Sequence, residues 1–273
     1  MSTPKLKIYG ERNTGTNYLS KLVGLNLDVD QLPGVVPKLP GLVPKPVFAL
    51  QRLLRRKDRL RDAYFALTYG RNLGWKHALV EPERIARRLD GAAQRAGVVT
   101  ITKNPYSWLL SMHRRPYNKA HGPQLPLEEF LRTPWKTVGC ERAPRMLPTP
   151  VDLWNVKNAA YLRLRESVPA LNVKYEDILE DPAGIIQLIA NTFSMGRTSD
   201  RFQDYTEPTK NRDRDKDSNH YRDYYLNERW KSKLSPEAIA LINERLDGGL
   251  MDHFEYAWLT EDDAATPRAS APR

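Results

Sequence analysis

The chain has 273 residues, 40% of them hydrophobic, with 43 Lys and Arg against 33 Asp and Glu and a formal net charge of +10. That apolar share excludes wholesale disorder, and a single cysteine, Cys140, excludes an internal disulfide framework and a multi-cysteine zinc site. No apolar run approaches the roughly 18 residues of a membrane span, and the opening Met1-Ser2-Thr3-Pro4-Lys5 has no apolar leader core, so the expectation is a cytoplasmic protein without a transmembrane segment.

Residues 6–9 read as a short strand, 10–15 as a glycine-bounded turn and 16–23 as the start of a helix, the order of a phosphate-binding unit. Pro33, Pro37, Pro40, Pro44 and Pro46 preclude a regular helix over 30–46, which reads as a surface excursion or lid. Residues 47–65 read as a basic helix with Arg52, Arg55, Arg56, Lys57, Arg59 and Arg61 and an apolar stripe of Leu50, Leu53, Leu54 and Leu60. It is either a solvated face or a docking surface for an acidic acceptor or a membrane. Residues 74–80 read as a second strand, followed by a helix over 82–95 opened by Pro82.

Residues 98–102 form a third strand, β-branched and without strict alternation, which suits burial on both faces of a parallel sheet. It leads through Lys103 and Asn104 into a helix opened by Pro105. Residues 116–150 are dense in proline and read as irregular. Thr149, Pro150 and Asp152 then supply an N-cap, a first-turn proline and a first-turn acid to a helix carrying Leu153, Val156, Ala160, Leu164 and Val168. A fourth strand at 171–175, a helix at 183–193, a charged loop at 206–220 and a last helix at 235–247 follow. Strands separated by helices predict an α/β fold: one domain over 1–259, a central parallel sheet flanked by helices, insertions near 30–46 and 116–150, and a disordered tail over 260–273.

The loop Gly10-Glu11-Arg12-Asn13-Thr14-Gly15-Thr16-Asn17 has the glycine spacing of a P-loop, but Thr16 and Asn17 stand where Lys and a magnesium-binding hydroxyl would follow. What remains is a run of backbone N–H groups at a helix N-terminus, suited to an anion. Arg12 supplies a positive charge from within the loop. The lost lysine weighs against an ATPase or GTPase.

Glu11-Arg12-Asn13-Thr14-Gly15-Thr16-Asn17-Tyr18-Leu19 resembles the 5′-phosphosulfate loop of sulfotransferases that use 3′-phosphoadenosine 5′-phosphosulfate (PAPS), whose short form is Lys-Ser-Gly-Thr-Thr-Trp. Thr102-Lys103-Asn104-Pro105 with Ser111 is similar to that family's 3′-phosphate segment, an Arg-Asn-Pro with a serine eight residues after the arginine. Lys174-Tyr175-Glu176-Asp177, followed by Asp181-Pro182, resembles its Tyr-Glu-Asp strand end. The three motifs run in the family's order and cover most of residues 5–195.

The resemblance implies a P-loop-like nucleotide site in an α/β sheet. The amides of Thr14, Gly15, Thr16 and Asn17, with Arg12 and Asn13, would hold the 5′ end of PAPS, and Lys103 and Ser111 its 3′-phosphate. Tyr18 and Tyr175 would flank adenine, unless they are core residues. Two anion sites at neighbouring strand ends suit a ligand with two separated anionic groups.

Lys76 and His77 fall where the family carries a base at a strand end. His77 is cast as the base and Lys76 as a cation on the transferring sulfonate, although adjacent residues on a strand point to opposite faces. Glu11 is the alternative base, and Glu176 and Asp177 are expected to fix a turn. The chain departs from the family in three ways. Asn13 stands at the loop lysine, Lys103 replaces an arginine and loses its bidentate option, and only 210–216 offers charge in place of the late closing loop.

The implied reaction moves a sulfonate from PAPS to a hydroxyl on a small molecule or glycan, with no metal. Ser111 lacks the Gly-x-Ser-x-Gly setting of a hydrolase nucleophile. Two other readings stay open. One is a small-metabolite kinase, which magnesium-dependent ATP binding would favour. The other is a basic nucleic-acid-binding protein, for which the chain offers charge but few stacking aromatics, so no nucleic-acid partner is expected.

Overall fold

The computed structural model describes residues 3–36, 57–89, 96–116, 125–208 and 217–264. Strands β1 (Lys5–Gly10), β2 (Asp30–Gln31), β3 (Ala96–Thr102) and β4 (Ala170–Lys174) form one parallel sheet in the order β2-β1-β3-β4. Lys5 to Gly10 pair with Ala96 to Ile101, and Val98 to Thr102 pair with Ala170 to Lys174. The connecting helices are α1 (Thr16–Asn26), α2 (Lys57–Leu67), α3 (Pro82–Leu89), α4 (Pro105–Arg114), α5 (Pro150–Ser167), α6 (Tyr175–Glu180), α7 (Pro182–Phe193) and α8 (Ser218–Leu226).

Every residue of β3 is buried, which is why its sequence shows no polar alternation. Leu6, Ile8, Val99, Ile101 and Val173 belong to one cluster with Leu19 and Leu22 of α1 and Ile186 and Ile189 of α7. Tyr9 and Val98 belong to a second, with Ile85 of α3 and Ala160, Tyr161 and Leu164 of α5. The two buried threonines of β3 are satisfied by side chains. Asn172 Nδ2 donates to Thr100 Oγ1 at 2.8 Å and to Thr102 Oγ1 at 3.1 Å, and Thr102 Oγ1 donates to Asn158 Oδ1 at 2.7 Å.

Local chemistry fixes where the helices begin. Thr149 and Asp152 form a capping box ahead of α5, Asn104 Oδ1 accepts from Tyr106 N and Ser107 N at the start of α4, and Asp181 Oδ1 accepts from Gly184 N at the start of α7. From β1 the chain passes through α1 to β2 on one side, while β3 and β4 lie on the other. The crevice beyond the C-terminal ends of β1 and β3 is therefore the switch point at which open α/β sheets bind ligands.

Several expectations need correction. Residues 74–80 are not a strand: Leu73 (φ 56) and Gly74 (φ 89) are left-handed, and the chain beyond them runs as turns and bends. The sheet edge beside β1 is taken by Asp30–Gln31, inside the stretch read as an excursion. Tyr175 opens a helix and does not end a strand. The 116–150 stretch holds a helix, Leu127–Arg132, and a small antiparallel ladder of Trp135–Lys136 with Met146–Leu147. The last helix stops at Asn243, and a separate one, Gly248–His253, follows. The basic helix is seen only from Lys57, and 37–56, 90–95, 117–124, 209–216 and 265–273 lie outside the described residues.

Leu22 is fully buried where α1 meets the sheet. Leu22→Ala is expected to cost about 2–5 kcal/mol. The loss would be read as a lower denaturant midpoint with an unchanged slope.

Candidate functional site

The loop after β1 turns on two left-handed residues, Asn13 (φ 66) and Gly15 (φ 83). A Cβ at Gly15 would lie 2.5 Å from the Tyr175 ring, so only glycine lets the loop pack there. Gly15 is also the residue before α1, and no side chain caps that helix, which leaves its first-turn N–H groups available to an anion. The loop is held from behind. Trp108 Nε1 donates to Arg12 O at 2.9 Å, Asn13 Nδ2 to Ser111 O at 3.4 Å and Thr14 Oγ1 to Glu11 O at 2.6 Å.

The segment carrying Lys76 and His77 lies against the end of β1. Gly10 N donates to Lys76 O at 3.0 Å, and Lys76 N donates to Gly34 O at 3.0 Å. His77 Nδ1 is 2.6 Å from Gly10 O. A carbonyl oxygen only accepts, so Nδ1 carries the proton and Nε2 the lone pair. Burial, then the Lys76 ammonium, holds the imidazole pKa well below its ordinary 6.5, so His77 is neutral at physiological pH. Lys76 Nζ reaches across to Asn17 Oδ1. Because this segment is not a strand, the opposite-faces argument does not apply, and both side chains line the same cavity.

That cavity, about 350 Å³, is lined by Arg12, Asn13, Gly15, Thr16, Asn17, Tyr18, Lys76, His77, Ser111 and Tyr175. Two of the expected site residues stand apart. Thr14 turns its side chain inward, and Lys103 sits behind the wall, 1% exposed. Lys103 Nζ donates to Ser111 Oγ at 3.3 Å and Asn13 O at 3.4 Å, and it lies 3.7 Å from the centroid of the Tyr225 ring. Among the described residues its ammonium forms no ion pair within 4.0 Å. Arg12 lines the cavity with its guanidinium 5.0 Å from the Trp75 ring centroid. Tyr18 OH donates to Asp204 Oδ1 at 3.1 Å, and Arg222 Nη2 donates to Asp204 Oδ2 at 2.9 Å.

Glu11 does not line the cavity. Its Oε1 accepts from Arg12 N at 2.6 Å and its Oε2 lies 2.8 Å from the buried Lys157 Nζ. Burial raises its pKa against the pull of Lys157. Glu176 accepts from Asn104 N at 3.1 Å and from Tyr256 OH at 3.0 Å, tying the ends of β3 and β4 together. Among the described residues no group of three His, Cys, Asp or Glu side chains is placed to hold a metal ion.

Sequence reasoning missed the wall contributed by Arg114, Arg115, Tyr205, Tyr221 and Tyr225. Arg114 was legible, since it follows Ser111 by three residues on one helical face. The tyrosines of α8 come from a segment with no local motif. Ser111 Oγ and Tyr225 OH are 3.3 Å apart. Burial opposes ionisation of Tyr225, but the Lys103 ammonium, the Ser111 hydroxyl and Arg114 outweigh it and bring its pKa down to about 8.

No family model matches the sequence, and no curated protein matches it significantly. Among solved structures, the sulfotransferase domain from the curacin biosynthetic pathway superposes with a TM-score of 0.51 at 13% identity, over 94% of this chain and 99% of that one. The chain has a sulfotransferase fold. The sulfotransferase domain of the Synechococcus PCC 7002 olefin synthase (16% identity, 94% of this chain and 97% of that one) and a sulfotransferase from Alicyclobacillus acidocaldarius (15%, 91% and 98%) match at a TM-score of 0.41 each.

One tyrosine is expected to ionise near pH 8 in an ultraviolet titration, and Tyr225→Phe should abolish that step. The folded pKa lies below the ordinary 10, so the folded state releases this proton first. Its stabilising contribution is complete above pH 10 and is lost as the pH falls through 8. A parent titration with no tyrosine ionising below pH 9.5 would be at odds with the Lys103–Tyr225 contact, given an ordinary value of about 10.

Proposed function

We propose that the chain is a sulfotransferase that moves a sulfonate from PAPS to a hydroxyl on a small molecule or glycan. The observation that carries this reading is the convergence on one cavity of the 12–18 loop, the Lys76–His77 segment and Ser111, whose hydroxyl accepts from the buried Lys103 ammonium. The sulfotransferase fold supports it. No helix among the described residues is long and apolar enough to cross a membrane, and the lone cysteine agrees with a reducing, cytoplasmic setting.

In this reading the loop N–H groups and the α1 N-terminus hold the 5′-phosphosulfate. Ser111 Oγ contacts the 3′-phosphate. The Lys103 charge acts from directly behind Ser111, where the low dielectric strengthens it. Tyr18 and Tyr175 present rings to the adenine.

Neutral His77 takes the acceptor's proton on Nε2 while the acceptor oxygen bonds to sulfur. The bond from sulfur to the 5′-phosphate oxygen breaks, and the electron pair leaves with 3′-phosphoadenosine 5′-phosphate. Lys76 and Arg12 offset the charge that builds on that oxygen, the task of the loop lysine that Asn13 replaces. Catalysis rests on placement and electrostatics, as in phosphoryl transfer.

Calorimetry should find that 3′-phosphoadenosine 5′-phosphate binds more tightly than AMP or Mg-ATP. Lys103→Ala should weaken it about 10–100-fold, the value of a hydrogen bond to a charged group, and remove the preference over AMP. Equal binding of AMP would refute the reading, and preference for Mg-ATP would make a small-metabolite kinase the better one.

A further inference from the structure

Residues 73–77, which follow the short helix Tyr69–Asn72, deliver two site residues from a backbone that is neither helix nor strand. Carbonyls on such a backbone need donors other than ladder partners. Two of the three largest fully buried cationic side chains in the described chain, Lys7 and Lys157, supply them. Lys7 Nζ on β1 donates to Asn72 O at 2.5 Å, to Gly74 O at 2.6 Å and to Pro33 O at 2.8 Å. Lys157 Nζ on α5 donates to His77 O at 2.5 Å and lies 2.8 Å from Glu11 Oε2 and 3.2 Å from Glu141 Oε1.

Each ammonium therefore has three acceptors for its three hydrogens, and each gathers separate stretches of chain. Lys7 joins β1 to the turn before the catalytic segment and to the residues leading to Gly34, which packs on Lys76. Lys157 joins the far end of that segment to the first residue of the anion loop and to Glu141, whose own carbonyl accepts from Leu79 N at 2.6 Å. An isolated charge is costly to bury, and a methionine would fill the same space without that cost. What a methionine lacks is the ability to donate to three oxygens from three directions.

We propose that Lys7 and Lys157 are positioning residues that clamp the Asn72–His77 segment from both ends, so that Lys76 and His77 face one cavity and His77 Nδ1 meets Gly10 O. Neither residue lines the cavity. This inference rests on His77 as the base of the proposed reaction, but its test reads the imidazole itself and needs no turnover.

The experiment is nitrogen-15 magnetic resonance of the histidine rings in the parent, Lys7→Met and Lys157→Met, with binding of 3′-phosphoadenosine 5′-phosphate measured on the same samples. In the parent, His77 should be neutral at pH 6.5 with its proton fixed on Nδ1. In both variants the proton should exchange between the two ring nitrogens and the midpoint should rise toward 6.5. Nucleotide binding should stay within about threefold in Lys7→Met, where the loop and its Glu11–Lys157 pair are untouched. Folded variants that keep the parent's His77 signature overturn the clamp.

Lys157→Met leaves two buried carboxylates and is the variant more prone to misfold, so Lys7→Met, which leaves none, keeps the test decisive. Should neither fold, the parent decides. Below pH 7 the assigned Lys7 and Lys157 side chains should each show a slowly exchanging ammonium resonance, and a rapidly exchanging group at either position overturns the clamp. A parent that fails to bind the nucleotide but shows the His77 signature refutes the functional reading and leaves the clamp standing.

Discussion

The site depends on how β1 ends. Gly10 closes the strand, and its backbone N–H and carbonyl both turn to the same neighbouring segment, at Lys76 O and His77 Nδ1. No side chain fits at this residue: a Cβ would lie 2.7 Å from Thr14 Oγ1, 2.8 Å from Thr16 Cγ2 and 3.2 Å from Ile101 Cβ. One glycine thus sets three distances at once: anion loop to strand end, strand end to central strand, and imidazole to both. Anything larger would push the loop outward and break the pairing that fixes the His77 tautomer.

Charge buried behind the site has a consistent logic. Lys157 lies between Glu11 and Glu141, and Lys7 lies among backbone carbonyls. Such groups are poor contributors to stability compared with apolar residues of similar volume. They persist where irregular backbone has to be satisfied away from water. The burial that lowers the Lys7 pKa to about 7, with help from Lys76, is the same burial that keeps His77 neutral. The two effects have one cause: a polar site packed against the buried ends of the two central strands, β1 and β3.

Much of this was legible in the sequence. The β-branched run of β3, the capped starts of α4 and α5 and the glycine loop rest on local signals, and local signals survive in the fold. The 74–80 stretch misleads because Trp75, Ala78, Leu79 and Val80 look like strand residues, yet tertiary hydrogen bonds and two left-handed residues bend it away from the sheet. The true edge strand, Asp30–Gln31, is two polar residues long and carries no hydrophobic pattern. Of the expected nucleotide residues, Lys103 is displaced behind the wall because a strand end is buried, and spacing alone does not reveal depth. The tyrosines of α8 were invisible because their role exists only through contact with residues more than a hundred positions earlier.

That last contact has a consequence for how the molecule is made. The cavity's walls come from the loop at 12–18, the turn at 76–77, the helix at 111–114 and the helix that ends at Leu226. During synthesis the anion loop emerges first and its final wall last, so no partial chain offers a finished pocket. A ligand that fills the pocket binds only the completed fold, and at a hundred times its dissociation constant it adds about 2.7 kcal/mol to the stability of the folded state. The supply of such a ligand would then govern how long the protein survives proteolysis as well as how fast it works.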